Sequence, residues 1–444
     1  MKLRILSFLI LISFGSYSQQ TAADFFESGV NKSKAGDYTG ALGDFSRAIA
    51  MNPENAQSYF NRGLTKQALK DHRGAIKDFT TAIELNPRES LSYLYRGMSQ
   101  SEQGDPKTAI QDFNRTIELN SNDDYAYLQR GVTLAKLEEY RKAISDFNRV
   151  VELASDASSK YQAFFSRGYC KAKLGDYKGS ISDYSKSIDI NPKRAATFAE
   201  RGASRLKVEE YAEAVSDFDK ALELSPQDGE SFYQRGFAKA KTADYVGALK
   251  DFDSALRIQP TDIKSLYGRG FCHSKLNNQR SAISDLDKAI EYGNNNLDSK
   301  VVYSTAMPED KLATLRNGVT ENIEIPTFSD NRSEAYYVRG VAQAKSGRNK
   351  DALENLNKAI ELDPVFAPAH FSRGLVRSSE GLQKEALVDM DNAITLNEFY
   401  KEAFYVRGLI YQALSNTDKG CLDLSRAGEL GYIQAYDVIK NLCN

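Results

Sequence analysis

The stretch AQSYFNRGLTKQALKDHRGAIKDFTTAIELNP, Ala56 to Pro87, spaces its apolar residues with the period of a helix rather than a strand. Tyr59 and Gly63 lie one turn apart, and Ala75, Phe79 and Ala82 follow at i, i+4 and i+7. Each half therefore carries an apolar face, and two amphipathic helices are predicted. Asn86 precedes Pro87 and ends the second helix, because the residue before proline is pushed out of helical geometry. Gly63 is the anomaly, since glycine inside a helix costs about 1 kcal/mol relative to alanine. Without a side chain it lets the second helix approach closely at its alanine, while the aromatic fills the remaining gap.

The same order recurs along the chain. Arg-Gly pairs at Arg62, Arg96 and Arg130 are 34 residues apart, as are those at Arg167, Arg201, Arg235 and Arg269 and those at Arg339, Arg373 and Arg407. A fixed period in this range marks a repeat architecture. Units of the same phase start at Ala22, Ala56, Ser90, Asp124, Tyr161, Ala195, Gly229, Ile263, Ser333, Ala367 and Lys401, which makes eleven. Gly-Asp-Tyr at Gly36 to Tyr38 and Gly175 to Tyr177 supplies the turn inside a hairpin. The chain is expected to be all-α, an array of helix-turn-helix units.

These units resemble tetratricopeptide repeats, in which position 4 is aromatic or large, 8 small, 20 alanine, 24 aromatic, 27 alanine and 32 proline. Gly63, Ala75, Phe79, Ala82 and Pro87 match position for position, and the resemblance covers residues 22 to about 434. It implies stacking into a right-handed α-α superhelix whose first helices line a concave face. One departure is consistent. Position 7, usually large and apolar in that family, is arginine in ten of the eleven units, and position 23 is aspartate in all but one, where Asn355 stands.

A planar guanidinium suits bidentate pairing with a carboxylate. The first unit has Asp44 but Ser28 in place of its arginine, as though a first arginine would have nothing before it to meet. A ladder between units is therefore expected, Asp44 with Arg62 and Asp78 with Arg96.

Interruptions and ends set the domain boundaries. Residues 1–18 read as a signal peptide: Lys2 and Arg4, an apolar run from Ile5 to Phe14, then small polar residues ending at Ser18. The run is about half the roughly 20 residues needed to span a bilayer. Repeats 1 to 8 occupy 19–296. Residues 297–332 lack the glycine and alanine signature and read as a degenerate hairpin that keeps the stack continuous, or as an insertion. Three residues added near Ser158 read as a lengthened loop. Repeats 9 to 11 fill 333–434, and 435–444 form a capping helix whose polar face is expected from Asp437, Lys440 and Asn441. Cys421 and Cys443 are expected to fall side by side on antiparallel helices and, in an exported chain, to form a disulfide rather than two buried thiols. Cys170 and Cys272, three units apart, are expected to be core residues.

A net charge of -2 from 58 basic and 60 acidic side chains gives no overall attraction for nucleic acid or an anionic membrane. His72, His273 and His370 fall at different repeat positions without ligand-spaced neighbours, so no metal site is expected. No phosphate-binding glycine loop, nucleophile elbow or cofactor motif occurs, and no enzymatic role is expected.

The resemblance places positions 2, 5, 9, 12 and 13 on the concave face. Position 5 includes Phe60, Phe165, Tyr233 and Tyr267, and position 9 includes Tyr169, Phe237 and Phe271. An aromatic floor of this kind suits an extended peptide or an amphipathic helix, unless the rings only pack first helices together. Position 13 is lysine at Lys136, Lys173, Lys207, Lys241, Lys275 and Lys345, a column that selects an acidic partner segment or merely complements the ends of the first helices. Family members that grip a terminal carboxylate use lysine at position 5 and asparagine at position 9; here those positions are largely apolar, so that mode is not expected. The chain reads as a scaffold for protein or peptide partners in a bacterial envelope, with glycan binding by the aromatic groove as the alternative. The leader generates the first test: the mature protein should begin at Gln19 and partition outside the cytoplasm, whereas N-terminal sequencing that recovers Met1 from a cytoplasmic fraction would refute export.

Overall fold

A computed structural model describes residues 20–295 and 332–443. Among these the chain is all-α, 23 helices arranged as consecutive antiparallel pairs with no strand. It divides into two units, Met1–Pro192 and Lys193–Asn444, each built by the same rules.

Within a repeat the two helices close on the aromatic of position 24. Phe45, Phe79, Phe113, Phe147 and Tyr184 in the first unit, and Phe218 and Phe252 in the second, are essentially inaccessible to solvent. This ring explains the helical glycine: a Cβ on Gly63 would lie 2.7 Å from the Phe79 ring. The tightest approach demanded by the glycine is thus to position 24, and the alanine at position 20 is also close, the carbonyl oxygen of Ala109 lying 3.1 Å from a Cβ on Gly97. Alanines at 20 and 27, such as Ala75 and Ala82, are buried beside it. Toward the preceding repeat the first helix presents small residues at positions 3 and 10, among them Ser58 and Thr65, also buried.

Helix ends follow from local chemistry. Asp71 accepts a hydrogen bond from the Gly74 amide at 2.9 Å and caps the second helix of repeat 2. The hairpin turn needs a left-handed residue at position 15, supplied by Gly175 with φ +82° but also by Ala243 with φ 62°, where a β-carbon makes the conformation unfavourable. The three residues added near Ser158 do not lengthen a loop. They extend the helix Ala157–Lys173 at its start, where Asp156 caps it through the Ser159 amide.

The arginine ladder exists, but in a different register from the one expected. Arg62 donates from Nε and Nη2 to both oxygens of Asp78, each at 2.8 Å, within its own repeat. Arg96 does the same to Asp112 at 2.7 Å. The pairs Asp44 with Arg62 and Asp78 with Arg96 are therefore corrected: position 23 faces the first helix of the same hairpin, sixteen residues back in the chain. What crosses to the preceding repeat is the third nitrogen. Nη1 of Arg62 reaches Ser46, that of Arg96 reaches Thr80, and that of Arg130 reaches Asn114, all at position 25. In the second unit Arg235, Arg269 and Arg407 meet Asp219, Asp253 and Asp391 at 2.6–2.8 Å. The ring at position 4 completes the enclosure, with the Arg62 guanidinium 5.5 Å from the Tyr59 centroid.

Position 11, unremarked in the sequence, often supplies a further cation to the same carboxylate. Lys66 lies 2.7 Å from Asp78 and Arg205 2.6 Å from Asp217. Burial pushes the Asp183 carboxyl up, yet hydrogen bonds from Arg167 and Lys171 outweigh it and hold the group below the usual carboxylate range. In repeat 1 Ser28 and Lys32 satisfy Asp44, each at 2.6 Å. In repeat 9 the neutral Asn355 takes both Arg339 bonds on its oxygen and donates to Gln343.

Residues 296–331 lie outside the described residues, and with them nearly all of the segment expected as a degenerate hairpin or insertion, as does the expected leader at 1–18. The helices flanking the interruption, Gln279–Asn295 and Arg332–Lys345, pack directly on one another, and Arg339 reaches Asp287 at 2.7 Å as its counterparts reach their own predecessors. Repeat 9 therefore sits on repeat 8 in the ordinary way.

At the other end, the helix Gln434–Leu442 covers repeat 11 through buried Ala435. Its outer surface is mixed rather than polar: Asp437, Lys440 and Asn441 are exposed, but so are Tyr436 and Leu442. A disulfide joins Cys421 to Cys443 with Cα atoms 5.8 Å apart. Cys170 and Cys272 are fully buried, and burial pushes their thiols up to about 11 and about 12.

The register makes a measurable difference. Arg96→Met strands a buried carboxylate and should lower stability by about 3–5 kcal/mol, whereas Thr80→Val should lose only about 1 kcal/mol. In double-mutant cycles read by urea unfolding, Arg96 should couple strongly to Asp112 and negligibly to Asp78. The reverse result would restore the pairing first expected.

Candidate partner-binding face

The packing of each first helix leaves one stripe open. Positions 4, 5 and 8 turn toward the second helix of the same repeat, and 3 and 10 toward the preceding one. At 3.6 residues per turn, positions 2, 6, 9 and 13 fall within a sector of about 60° on the remaining side. In repeats 3 and 4 these are Leu91, Tyr95, Met98 and Glu102, then Tyr125, Gln129, Val132 and Lys136, all exposed or half-buried.

The expected floor only partly coincides with this stripe. Position 5 leans toward the core and is half-buried at Phe60, Phe165 and Tyr233. Phe60 packs 5.8 Å from Phe79, Phe165 5.6 Å from Tyr184, and Tyr233 6.2 Å from Phe252, in each case against position 24. Tyr267 is 6% exposed and burial raises its hydroxyl well above the usual value. Phe271, though at position 9, is 3% exposed. Both belong to one buried cluster with Leu286 and Tyr337. These two residues are corrected from groove to core, because the direct stacking of repeats 8 and 9 closes over them.

The other position-9 rings are half-buried and also join repeats. Tyr169 meets Tyr140 of the preceding repeat at 6.4 Å, as Phe271 meets Tyr245 at 6.3 Å. Lysines four residues on cover these rings: Lys173 over Tyr169 at 5.2 Å, Lys241 over Phe237 and Lys275 over Phe271 at 5.4 Å. Their spacing of four was visible in the sequence as a helical i,i+4 pair. Burial, with repulsion from Lys345, lowers Lys275 below the ordinary lysine value. Lys136, Lys173 and Lys207 are exposed, and Lys241 and Lys275 half-buried. Sequence reasoning missed position 6, where Tyr95 lies 5.8 Å from Phe60 and 6.2 Å from Phe79. The signal was the angular sector shared with positions 2, 9 and 13.

Nothing reactive converges here. Among the described residues no group of three or more histidine, cysteine, aspartate or glutamate side chains is placed to hold a metal, and no helix is long and apolar enough to cross a membrane. His273 stands 4.0 Å from Asp285 in the place of a ladder cation, and burial lowers it from the usual imidazole value.

Stacked helical hairpins with an open stripe of first-helix side chains define a repeat protein built for surface recognition. Tetratricopeptide-repeat family models match residues 27–65, 56–89, 91–123, 128–195 and 333–364, and the chain is a tetratricopeptide-repeat protein. Among solved structures it is similar to the C-terminal part of a repeat protein from Cytophaga hutchinsonii, at 17% identity over 55% of this chain and 98% of that one, TM-score 0.47. A repeat protein from Parabacteroides merdae is 19% identical over 56% and 98%, TM-score 0.42. YrrB, described as a TPR protein with an unusual peptide-binding site, is 23% identical over 43% and 97%, TM-score 0.40. No curated protein matches the chain. The repeats support a protein-interaction scaffold.

The division between core and stripe can be measured. Phe271→Ala should destabilise the fold by about 3–5 kcal/mol, while Lys136→Ala should stay within about 0.5 kcal/mol of the parent. Equal urea midpoints for the two variants would contradict the burial pattern.

Proposed function

We propose that the protein is an exported, non-enzymatic scaffold of a bacterial envelope that binds other proteins along the stripe formed by positions 2, 6, 9 and 13. The observation that carries this reading is the stripe itself, the side of each first helix that the second helices leave open. Leu91, Tyr125 and Leu375 are each about two-fifths exposed on it, although packing elsewhere in the repeats is dense. The leader-like start, from Lys2 to Ser18, supports export.

A photo-crosslinking residue placed at Tyr125 or Leu375 in cells should yield protein adducts. The same residue at Leu422, which is 72% exposed on a second helix, should yield few. Adducts from Leu422 alone would move the working surface to the second helices. Adduct-free chains combined with hits on an envelope-glycan array would favour the sugar-binding alternative.

A further inference from the structure

The C-terminal cap is held to the array by little besides its disulfide. The helix Gln434–Leu442 has 9 residues, and isolated helices shorter than about 12–15 residues are marginal in water. Packing adds little. Ala435 is its one buried residue, whereas the first helix of repeat 11, Lys401–Ala413, buries Ala403, Gly408 and Ile410. Val438 and Ile439 are half-buried, while Tyr436 and Leu442 are exposed. Just before the cap the chain is anchored, because Tyr432 packs on Tyr405 with ring centroids 4.6 Å apart. Gly431 turns the chain there with φ +91°, and Ile433, which leads into the helix, is 75% exposed.

The bond lies where other repeats use apolar contact. Position 21 is leucine, isoleucine or valine in all ten preceding repeats; Leu353 and Leu387, for example, pack against buried core residues. In repeat 11 it is Cys421, and the disulfide to Cys443 supplies a covalent contact instead. Both cysteines are half-buried rather than enclosed, within reach of a reductant. The two sulfurs are not equivalent. Gln412 donates from Nε2 to Cys421 Sγ at 3.3 Å and to Cys443 Sγ at the longer distance of 3.8 Å. Cys443 also sits at the C-terminal end of its helix, where the dipole disfavours negative charge. A thiolate is therefore better accommodated at Cys421, and the better-stabilised thiolate leaves faster in exchange.

We propose that Cys421 and Cys443 form a redox-modification site that latches the cap. Oxidised, the pair holds Gln434–Leu442 on repeat 11. Reduced, it releases the segment beyond Tyr432 and uncovers the second helix of repeat 11, on the side by which earlier repeats meet their successors. The reductant is a dithiol, as in a thiol-disulfide exchange protein. Its thiolate attacks Cys443 Sγ, the S–S bond breaks, and Cys421 departs as a thiolate that takes up a proton. The reductant's second thiol, deprotonated, then displaces Cys443, which is protonated in turn. Two electrons and two protons pass from the dithiol to the cysteine pair, and the reductant ends as a disulfide. The latch works at the end of the array and does not depend on the open stripe.

The test is hydrogen exchange of the full chain, read by mass spectrometry before and after treatment with dithiothreitol under native conditions. Peptide-mapped alkylation should show Cys421 and Cys443 freed without denaturant; a bond that yields only in urea would overturn the proposal. Reduction should speed exchange at 434–442 on the order of a hundred-fold, the weight of a bridge that closes a loop of this length. Exchange at 401–430 should not change. The double variant Cys421→Ser, Cys443→Ser should exchange at the fast rate with or without the dithiol, and reoxidation should restore protection in the parent alone. Unchanged exchange at 434–442 on reduction would overturn the latch and leave a passive staple. Loss of protection throughout 401–430 would overturn it too, since the bond would then support the whole repeat. With the monothiol glutathione, the trapped mixed disulfide should form at Cys443, and an adduct at Cys421 would overturn the assigned order of attack.

Discussion

An arginine at position 7 is tied in three directions at once, and the rest of the repeat is arranged around keeping it so. Two nitrogens hold the carboxylate of its own second helix, the third reaches the helix before, and an aromatic ring lies beside the guanidinium, as for Arg96 with Asp112, Thr80 and Tyr93. A lone buried charge would be heavily penalised; an ion pair with its remaining hydrogen-bond capacity used is tolerated and specifies geometry. The glycine that follows belongs to the same arrangement. It lets the first helix lie against the position-24 ring, which sets the spacing at which arginine meets aspartate.

Repeat 1 meets the same demand on its carboxylate without an arginine. There Ser28 and Lys32 take over the carboxylate of Asp44, each at 2.6 Å. The acceptors of the backward bond differ in balance between units: Ser46, Thr80, Asn114 and Asn148 in the first are neutral, while in the second Asp219, Asp253, Asp287 and Asp391 are charged and Asn357 is neutral. Charge-assisted bonds are stronger and more sensitive to salt than neutral ones. The second unit thus uses the same joint with mostly, though not uniformly, charge-assisted backward bonds.

Much of the fold was legible because a period of 34 residues repeats every constraint many times over. Helix pairs, turns and core alanines all follow from spacing. The pairing of Arg62 was not legible, because spacing fixes a position within the repeat and leaves open whether its partner lies in the same hairpin or the next. A contact with the preceding repeat does exist, but it belongs to position 25. The aromatic floor was misread for a related reason. Position 5 and position 9 look alike in sequence, yet Phe60 faces the ring of Phe79 while Tyr169 faces a neighbouring repeat. Only packing tells them apart, and Phe271 shows that a stripe position is itself covered where repeats 8 and 9 meet.

The joint between those two repeats has a kinetic meaning. Elsewhere in the second unit the backward bond closes over 16 residues of chain, as from Arg235 to Asp219, but from Arg339 to Asp287 it closes over 52. Loop-closure entropy grows with the logarithm of length, so a roughly three-fold longer span adds about 1 kcal/mol to the ordering required. Assembly of a linear array can nucleate anywhere and spread between neighbours. Here the spread from repeat 8 to repeat 9 is the step with the longest closure, and the segments on either side of it, repeats 6 to 8 and repeats 9 to 11, are the natural units in which the second half of the molecule gathers.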